Sequence, residues 1–296
     1  MIIDSHIHMY PPDISADPVG WARRVDEPYW GALMGDNPGK TSIQGWATVD
    51  QLLRDMDTAG IDKVVMQGIY FQHQQNCVAQ NNWYIKWCQQ FPDRLLGFAT
   101  VQPLAGQPAL DEIKRAIDHG LCGVGEILPN AQGHTMRHDA FLAVVELAIT
   151  LDVPLCLHGA EPVGHNYPGR ADTPLQDYVW LAKQYPNLKL ILAHLGGLLP
   201  FYELNRSVKK IMQNVYYDTA AIPLLYRPQV YKSVVEIVGA KKILYGSDYP
   251  LLLYPRQTRT PNFTSLLAEI KQAGLSKSQL NLILGTNMQR LLKLPQ

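Results

Sequence analysis

The chain has 296 residues, enough for one large buried core, and its 26 lysines and arginines match its 26 aspartates and glutamates. Zero formal charge and the lack of any basic stripe exclude nucleic acid as an expected partner. A polar start, four scattered cysteines without a CxxC, and no apolar run near the roughly 18 residues of a membrane helix lead us to expect a cytoplasmic protein with reduced thiols and no membrane contact.

Along the chain, short aliphatic runs alternate with amphipathic segments. The runs cover residues 2–8, 63–68, 95–101, 123–127, 154–158, 189–194, 215–219 and 242–247. Helical spacing is read over 49–59, 76–91, 110–119, 139–151, 174–185, 200–213, 227–238 and 263–273, with a last helix over 287–292. Strand then helix, eight times, predicts parallel strands joined by right-handed crossovers. The expectation is an α/β chain forming a single (β/α)8 TIM barrel over 1–296. An open doubly wound sheet is the competing architecture. It calls for a glycine-rich phosphate turn after the first strand, and Met9-Tyr10-Pro11-Pro12 stands there instead.

Two connections exceed ordinary loop length. Residues 9–48 carry Trp21, Trp30 and Trp46 with Arg23 and Arg24, and are expected to fold over the strand ends as a lid-like loop. Residues 159–172 form a second long loop after the fifth run.

Active sites in such barrels lie at the C-terminal ends of the strands. His6 and His8 end the first run, and the two-residue period of a strand puts both imidazoles on one face. Glu126 lies near the end of the fourth run, His158 ends the fifth, His194 the sixth, and Asp248 closes the eighth. Taken singly, each has an ordinary structural reading as a hydrogen-bonded core residue or a turn former. Taken together they share one rim, which predicts a metal site. Imidazole and carboxylate ligands suit zinc, and also manganese, iron or nickel. The lack of cysteine at these positions argues for a catalytic site with an open position. Three histidines and one aspartate would fill the shell of one ion, with Glu126 as a further ligand or as the bridge to a second ion.

The Asp4-x-His6-x-His8 start, His158, His194-Leu195-Gly196-Gly197 and Leu244-Tyr245-Gly246-Ser247-Asp248-Tyr249-Pro250 resemble the amidohydrolase superfamily. They are most similar to its amidohydrolase-related branch, which includes aminocarboxymuconate-semialdehyde decarboxylase, resorcylate-type decarboxylases and pyrone-dicarboxylate lactonase. The likeness runs from residue 2 to about residue 292 and includes the closing segment 284–292. It implies His6, His8, His158 and Asp248 as metal ligands and His194 as the catalytic histidine. Glu126 departs from the carbamylated-lysine pattern of the wider superfamily, so a lysine-bridged pair of ions is not expected.

The leading expectation is a metal-dependent hydrolase. A metal-activated water would attack a lactone, amide or ester carbonyl of a small molecule, with Asp248 and His194 catalytic. The alternative is a metal-dependent, non-oxidative decarboxylase of a small carboxylic acid. It needs a carboxylate anchor, for which Arg170, Arg256 and Arg259 are available. Glu126 favours hydrolysis in this reading, because another anion at the rim would repel a carboxylate. A non-catalytic metal-binding barrel is the third reading. Arg170, Tyr249 and Trp46 are the candidate substrate-binding residues. His73, His134, His138 and His165 lie in loops on the same side, and the outer helices leave room for a homodimer.

Overall fold

The computed structural model describes residues 1–35, 42–164, 166–167, 170 and 173–295, so His165 and parts of both long connections lie outside the described residues. Eight parallel strands occur among the described residues, in the order the apolar runs predict: β1 (Ile3–Ile7), β2 (Lys63–Met66), β3 (Leu95–Gly97), β4 (Val124–Ile127), β5 (Leu155–Leu157), β6 (Leu190–Leu192), β7 (Val215–Asp218) and β8 (Ile243–Leu244). They pair as two ladders, β1-β2-β3 and β4-β5-β6-β7-β8. Parallel bridges Ile7 to Tyr249 and Ala99 to Val124 join the ladders at both seams. Backbone bonds reinforce these joins, including His8 N to Tyr249 O (2.7 Å), Asp248 N to His6 O (2.8 Å) and Gly125 N to Ala99 O (2.8 Å). The result is the (β/α)8 barrel. Both faces of the strands are covered, which is why their runs are apolar throughout.

Seven of the eight strands end one to four residues before their runs do, and β4 ends with its run at Ile127. The ladder stops where the backbone turns to present His158, His194 and Asp248. His194 and Asp248 both sit in the left-handed region, with φ of 57° and 65°. Non-glycine residues pay about 1–3 kcal/mol for that conformation and concentrate at functional sites.

The outer elements begin with α1 (Pro12–Ala16), α2 (Pro18–Arg24) and α3 (Pro28–Leu33), which occupy the segment read as a lid-like loop. Each opens on a proline at its first position, where the missing N–H costs nothing. Trp21 and Trp30 pack edge to face (5.2 Å between centroids) against Phe71. Glu27 ties these helices to the barrel. Its buried carboxylate accepts from Gln72 N (2.7 Å), His73 N (3.0 Å) and Asn76 Nδ2 (2.7 Å).

The barrel helices are α4 (Val49–Ala59), α5 (Gln74–Gln90), α6 (Gln107–Asp118), α7 (Asp139–Thr150), α8 (Leu175–Gln184), α9 (Arg206–Ile211), α10 (Ile222–Leu225), α11 (Gln229–Val238), α12 (Thr264–Lys271), α13 (Lys277–Asn281) and α14 (Asn287–Leu291). Helix α4 shows how sequence sets these limits. Thr48 caps it by accepting from Gln51 N (3.2 Å), Leu52 and Met56 face the core, and Gly60 ends it in the left-handed conformation.

The helix expected over 200–213 is not formed as such. The chain winds in irregular 3-10 turns from His194 to Leu204, with Leu195, Gly196, Gly197 and Leu198 all left-handed, and only Arg206–Ile211 is α-helical. Close packing forces this path, since a Cβ on Gly197 would lie 2.2 Å from Ala160 O. All four cysteines are free thiols. No described helix is long and apolar enough to cross a membrane.

Candidate metal centre

The barrel brings His6, His8, Glu126, His158, His194 and Asp248 to one end. His6 and His8 each commit Nδ1 to an acceptor, Asp218 Oδ2 at 2.8 Å and the Gln67 carbonyl at 3.0 Å. Nδ1 must donate to the Gln67 carbonyl, and the same tautomer at His6 points both Nε2 lone pairs at each other across 3.2 Å. Two acceptors so placed repel unless a positive charge lies between them. Asp248 Oδ1 adjoins the pair, 3.2 Å from His8 Nε2 and 3.9 Å from His6 Nε2. Glu126 Oε2 stands 3.8 Å from each. The electrostatics agree. Burial disfavours charge on His6, but Asp218 outweighs it and lifts its affinity for a proton well above the ordinary range. This donor set fits a divalent cation, held by His6, His8 and Asp248 with Glu126 alongside.

The other oxygen of Glu126 serves a second group. Oε1 lies 3.0 Å from His158 Nδ1 and 3.8 Å from His194 Nε2, whose rings are 4.7 Å apart. Burial pushes the Glu126 carboxyl up, but His158, His6 and His194 outweigh it and hold its pKa at about 2. Asp248 is likewise held well below the carboxylate range, with burial opposed by His8, His6 and His194. His194 is pushed down by burial and by His158, and its Nδ1 donates to Ala220 O (2.9 Å), leaving Nε2 as an acceptor. Gly125 lets Glu126 reach this place, because a Cβ there would sit 2.6 Å from Cys156 O.

Asp218 was not singled out by sequence reasoning. It ends β7, and its second oxygen accepts from His194 N (2.9 Å) and Ala220 N (3.0 Å). A partial signal was available: a carboxylate near the end of the seventh run belongs to the same rim as the other strand-end residues, though its role shows only with its partners in place.

Above this floor lies a cavity of about 290 Å³. Its floor is His8, Glu126, His158, His194 and Asp248, and its walls include Tyr10, Ile69, Tyr70, Leu224, Leu225 and Leu251. Tyr10 and Tyr70 also escaped the sequence reading. Among the described residues no lysine or arginine lines the cavity.

The three candidate substrate residues go elsewhere. The Arg170 guanidinium bonds Glu161 O, Pro162 O, Gly164 O and Asn166 Oδ1, clamping its own loop. Tyr249 stacks on Phe263 (4.4 Å between centroids) and donates to Asp55. Trp46 packs on Tyr10 behind the wall (5.2 Å). Arg256 and Arg259 are exposed beyond β8, and neither His73, His134 nor His138 reaches the cavity.

Comparison with known proteins gives this geometry its family. A model of the family described as Amidohydrolase matches residues 3–294. A curated 2-amino-3-carboxymuconate-6-semialdehyde decarboxylase from Dictyostelium discoideum is 24% identical over 190 residues, 55% of this chain and 53% of that protein. The chain thus matches about half the length of that relative. A 5-carboxyvanillate decarboxylase from Novosphingobium aromaticivorans, solved with manganese, superposes with a TM-score of 0.77 at 17% identity, covering 99% of this chain and 97% of that one. A 2,6-dihydroxybenzoate decarboxylase from Rhizobium gives 0.68 at 20% identity, covering 99% and 98%.

These relatives overturn the leading expectation of hydrolysis, since all three are decarboxylases. The physical premise behind that expectation also fails. Glu126 turns both oxygens toward the four imidazoles of the floor, where a bound cation would offset its charge, so it need not repel a substrate carboxylate. The preference for zinc gains no support either, the metal in the solved relative being manganese. With a family model spanning residues 3–294 and every strand-end residue of the motif gathered at one end of the barrel, the chain belongs to the amidohydrolase family.

Proposed function

We propose that the protein is a metal-dependent, non-oxidative decarboxylase of a small carboxylic acid, with His6, His8 and Asp248 as ligands, His158 and Glu126 completing the floor, and His194 as the proton carrier. The observation that carries this reading is an imidazole and carboxylate floor beneath walls that are mostly apolar and aromatic, with Ser42 and Gln44 as uncharged polar members. A divalent ion bound at the floor would supply the positive charge that grips a substrate oxygen; manganese is the first ion to try. Apolar walls disfavour a carboxylate and tolerate the neutral ring and carbon dioxide that replace it.

The reaction breaks one carbon–carbon bond, releases carbon dioxide, and needs one proton at the vacated carbon. His194 suits that transfer. It is held neutral, its Nδ1–H is spent on Ala220 O, and its Nε2 takes up a proton and hands it on. Asp248, ionised beside it, favours the transient imidazolium.

The test uses manganese-loaded protein and a panel of hydroxybenzoic and related unsaturated acids in D2O without oxygen. One carbon dioxide released per acid consumed, with one deuterium at the vacated carbon, is the expected result, and His194→Asn should abolish it while metal content stays. Solvent oxygen incorporated into the product, or no carbon dioxide from any acid, would overturn the reading.

A further inference from the structure

We propose that the cavity selects acids with a single carboxylate and rejects those carrying a second one, and that Leu224 and Leu225 on α10 are the residues that set this preference. The inference rests on the decarboxylase reading and narrows its substrate class.

The floor carries the charged groups. Glu126 and Asp248 face the His6 and His8 nitrogens, Asp218 lies directly behind His6, and the positive charge available to a substrate is concentrated at the ion site they frame. Once one carboxylate or ring oxygen of the substrate is held there, the rest of the molecule must lie against the walls. Those walls are aliphatic at Leu33, Ile69, Leu224, Leu225 and Leu251, and no described lysine or arginine stands among them. Arg227, two residues beyond Leu225, is exposed and does not line the cavity. The polar groups of the walls, the hydroxyls of Tyr10, Ser42, Tyr70 and Tyr167 and the amide of Gln44, are uncharged, able to donate to a phenol or carbonyl but not to neutralise an anion.

Size sharpens the restriction. At about 290 Å³ the space lies at the small end of ligand pockets and suits one ring. With one carboxylate held at the floor, a second one on the same ring lies against the aliphatic walls, and an unpaired carboxylate against leucine loses its hydration without replacement. A ring bearing hydroxyl, methoxyl or alkyl groups meets no such cost.

The experiment is calorimetric binding to the manganese-loaded protein of a matched pair, 2-hydroxybenzoate and 4-hydroxyisophthalate, with carbon dioxide release followed in parallel. The single acid should bind at least about tenfold more tightly, the floor expected for an uncompensated buried charge. Leu225→Arg should narrow or reverse that ratio. Leu224→Arg is the second variant should the first fail to fold. Both positions are half-buried, so a long side chain has room to enter the cavity from either. Lys40 lies outside the described residues and is tested alongside. An unchanged ratio in K40A supports the proposal, and a K40A variant that gains preference for the single acid overturns it by revealing a cation that serves the second carboxylate. Equal or tighter binding of the diacid by the wild-type protein, or no binding of either acid, also overturns it. The two readings fail separately. Selective binding of the single acid with no carbon dioxide from it or from any other acid of the panel sinks the decarboxylase reading alone, and efficient decarboxylation of the diacid sinks the selectivity alone.

Discussion

Asp218 Oδ2 lies 2.8 Å from His6 Nδ1, and both side chains are fully buried. The bond fixes which imidazole nitrogen is left to face a cation, and the other oxygen of Asp218 holds the backbone N–H of His194. One carboxylate therefore orients a proposed ligand and the proposed proton carrier together. Partners of this kind typically cost about 10–100-fold in metal affinity when lost. Asp218→Ala should weaken manganese binding by about that factor, read by titration calorimetry, and lower kcat further through misplacement of His194. Unchanged affinity would show that the His6 ring is held by packing alone.

Glu126 stands between two pairs of imidazoles, with Oε2 toward His6 and His8 and Oε1 toward His158 and His194. Glu126→Gln keeps the shape and removes the charge. His6 and His194 then lose an anion that favours their protonated forms, so the pKa values of these two imidazoles in the metal-free variant should fall, measured by NMR titration. Turnover should drop by about 100-fold or more, in line with loss of a preorganised charge at a reacting centre. Imidazole titrations that stay in place would mean that Asp218 and Asp248 alone set the field.

The strand-end residues were legible in the sequence for a physical reason. A parallel barrel strand is buried on both faces, so a histidine or aspartate at the end of an apolar run stands out, and the two-residue period fixes the common face of His6 and His8. Asp218 obeys the same rule, yet a single carboxylate after Val215-Tyr216-Tyr217 is not distinguishable from a turn former until its partner is known. The direction of Arg170 was not legible at all. Four acceptors from its own loop, three of them backbone carbonyls, capture the guanidinium, and no local pattern announces that geometry. Pro12, Pro18 and Pro28 did mark helix starts inside the segment read as a loop, a signal hidden because each helix is under three turns long.

Removal of the ion has a predictable cost. A ligand that binds only the folded state at 100 times its Kd adds about 2.7 kcal/mol. For a chain near this size, each kcal/mol moves the melting temperature by about 2–4 °C. Chelator dialysis should therefore lower Tm by about 5–10 °C, and manganese should restore it. Asp248→Asn should blunt the restoration, since the variant gives up one charged donor of the cluster. A Tm indifferent to chelation would argue against a resident ion at His6, His8 and Asp248.

Glu27 is the last test, because it separates the anchoring of α1–α3 from the chemistry. Its carboxylate accepts three N–H donors at the start of α5, and it lies next to α3, which carries the cavity-lining Leu33. Each buried donor left without a partner costs about 1–3 kcal/mol, so Glu27→Ala should loosen α1–α3 without disturbing the barrel floor. Limited proteolysis should then cut within residues 12–33 before the barrel is attacked. Metal affinity should stay at the wild-type level while KM rises by about tenfold or more, as expected when a wall of the binding cavity is no longer held in place. Equal proteolytic resistance in the variant would show that the segment 9–35 is held by its tryptophan packing against Phe71 rather than by this carboxylate, and a loss of metal would show that Glu27 also supports the barrel floor.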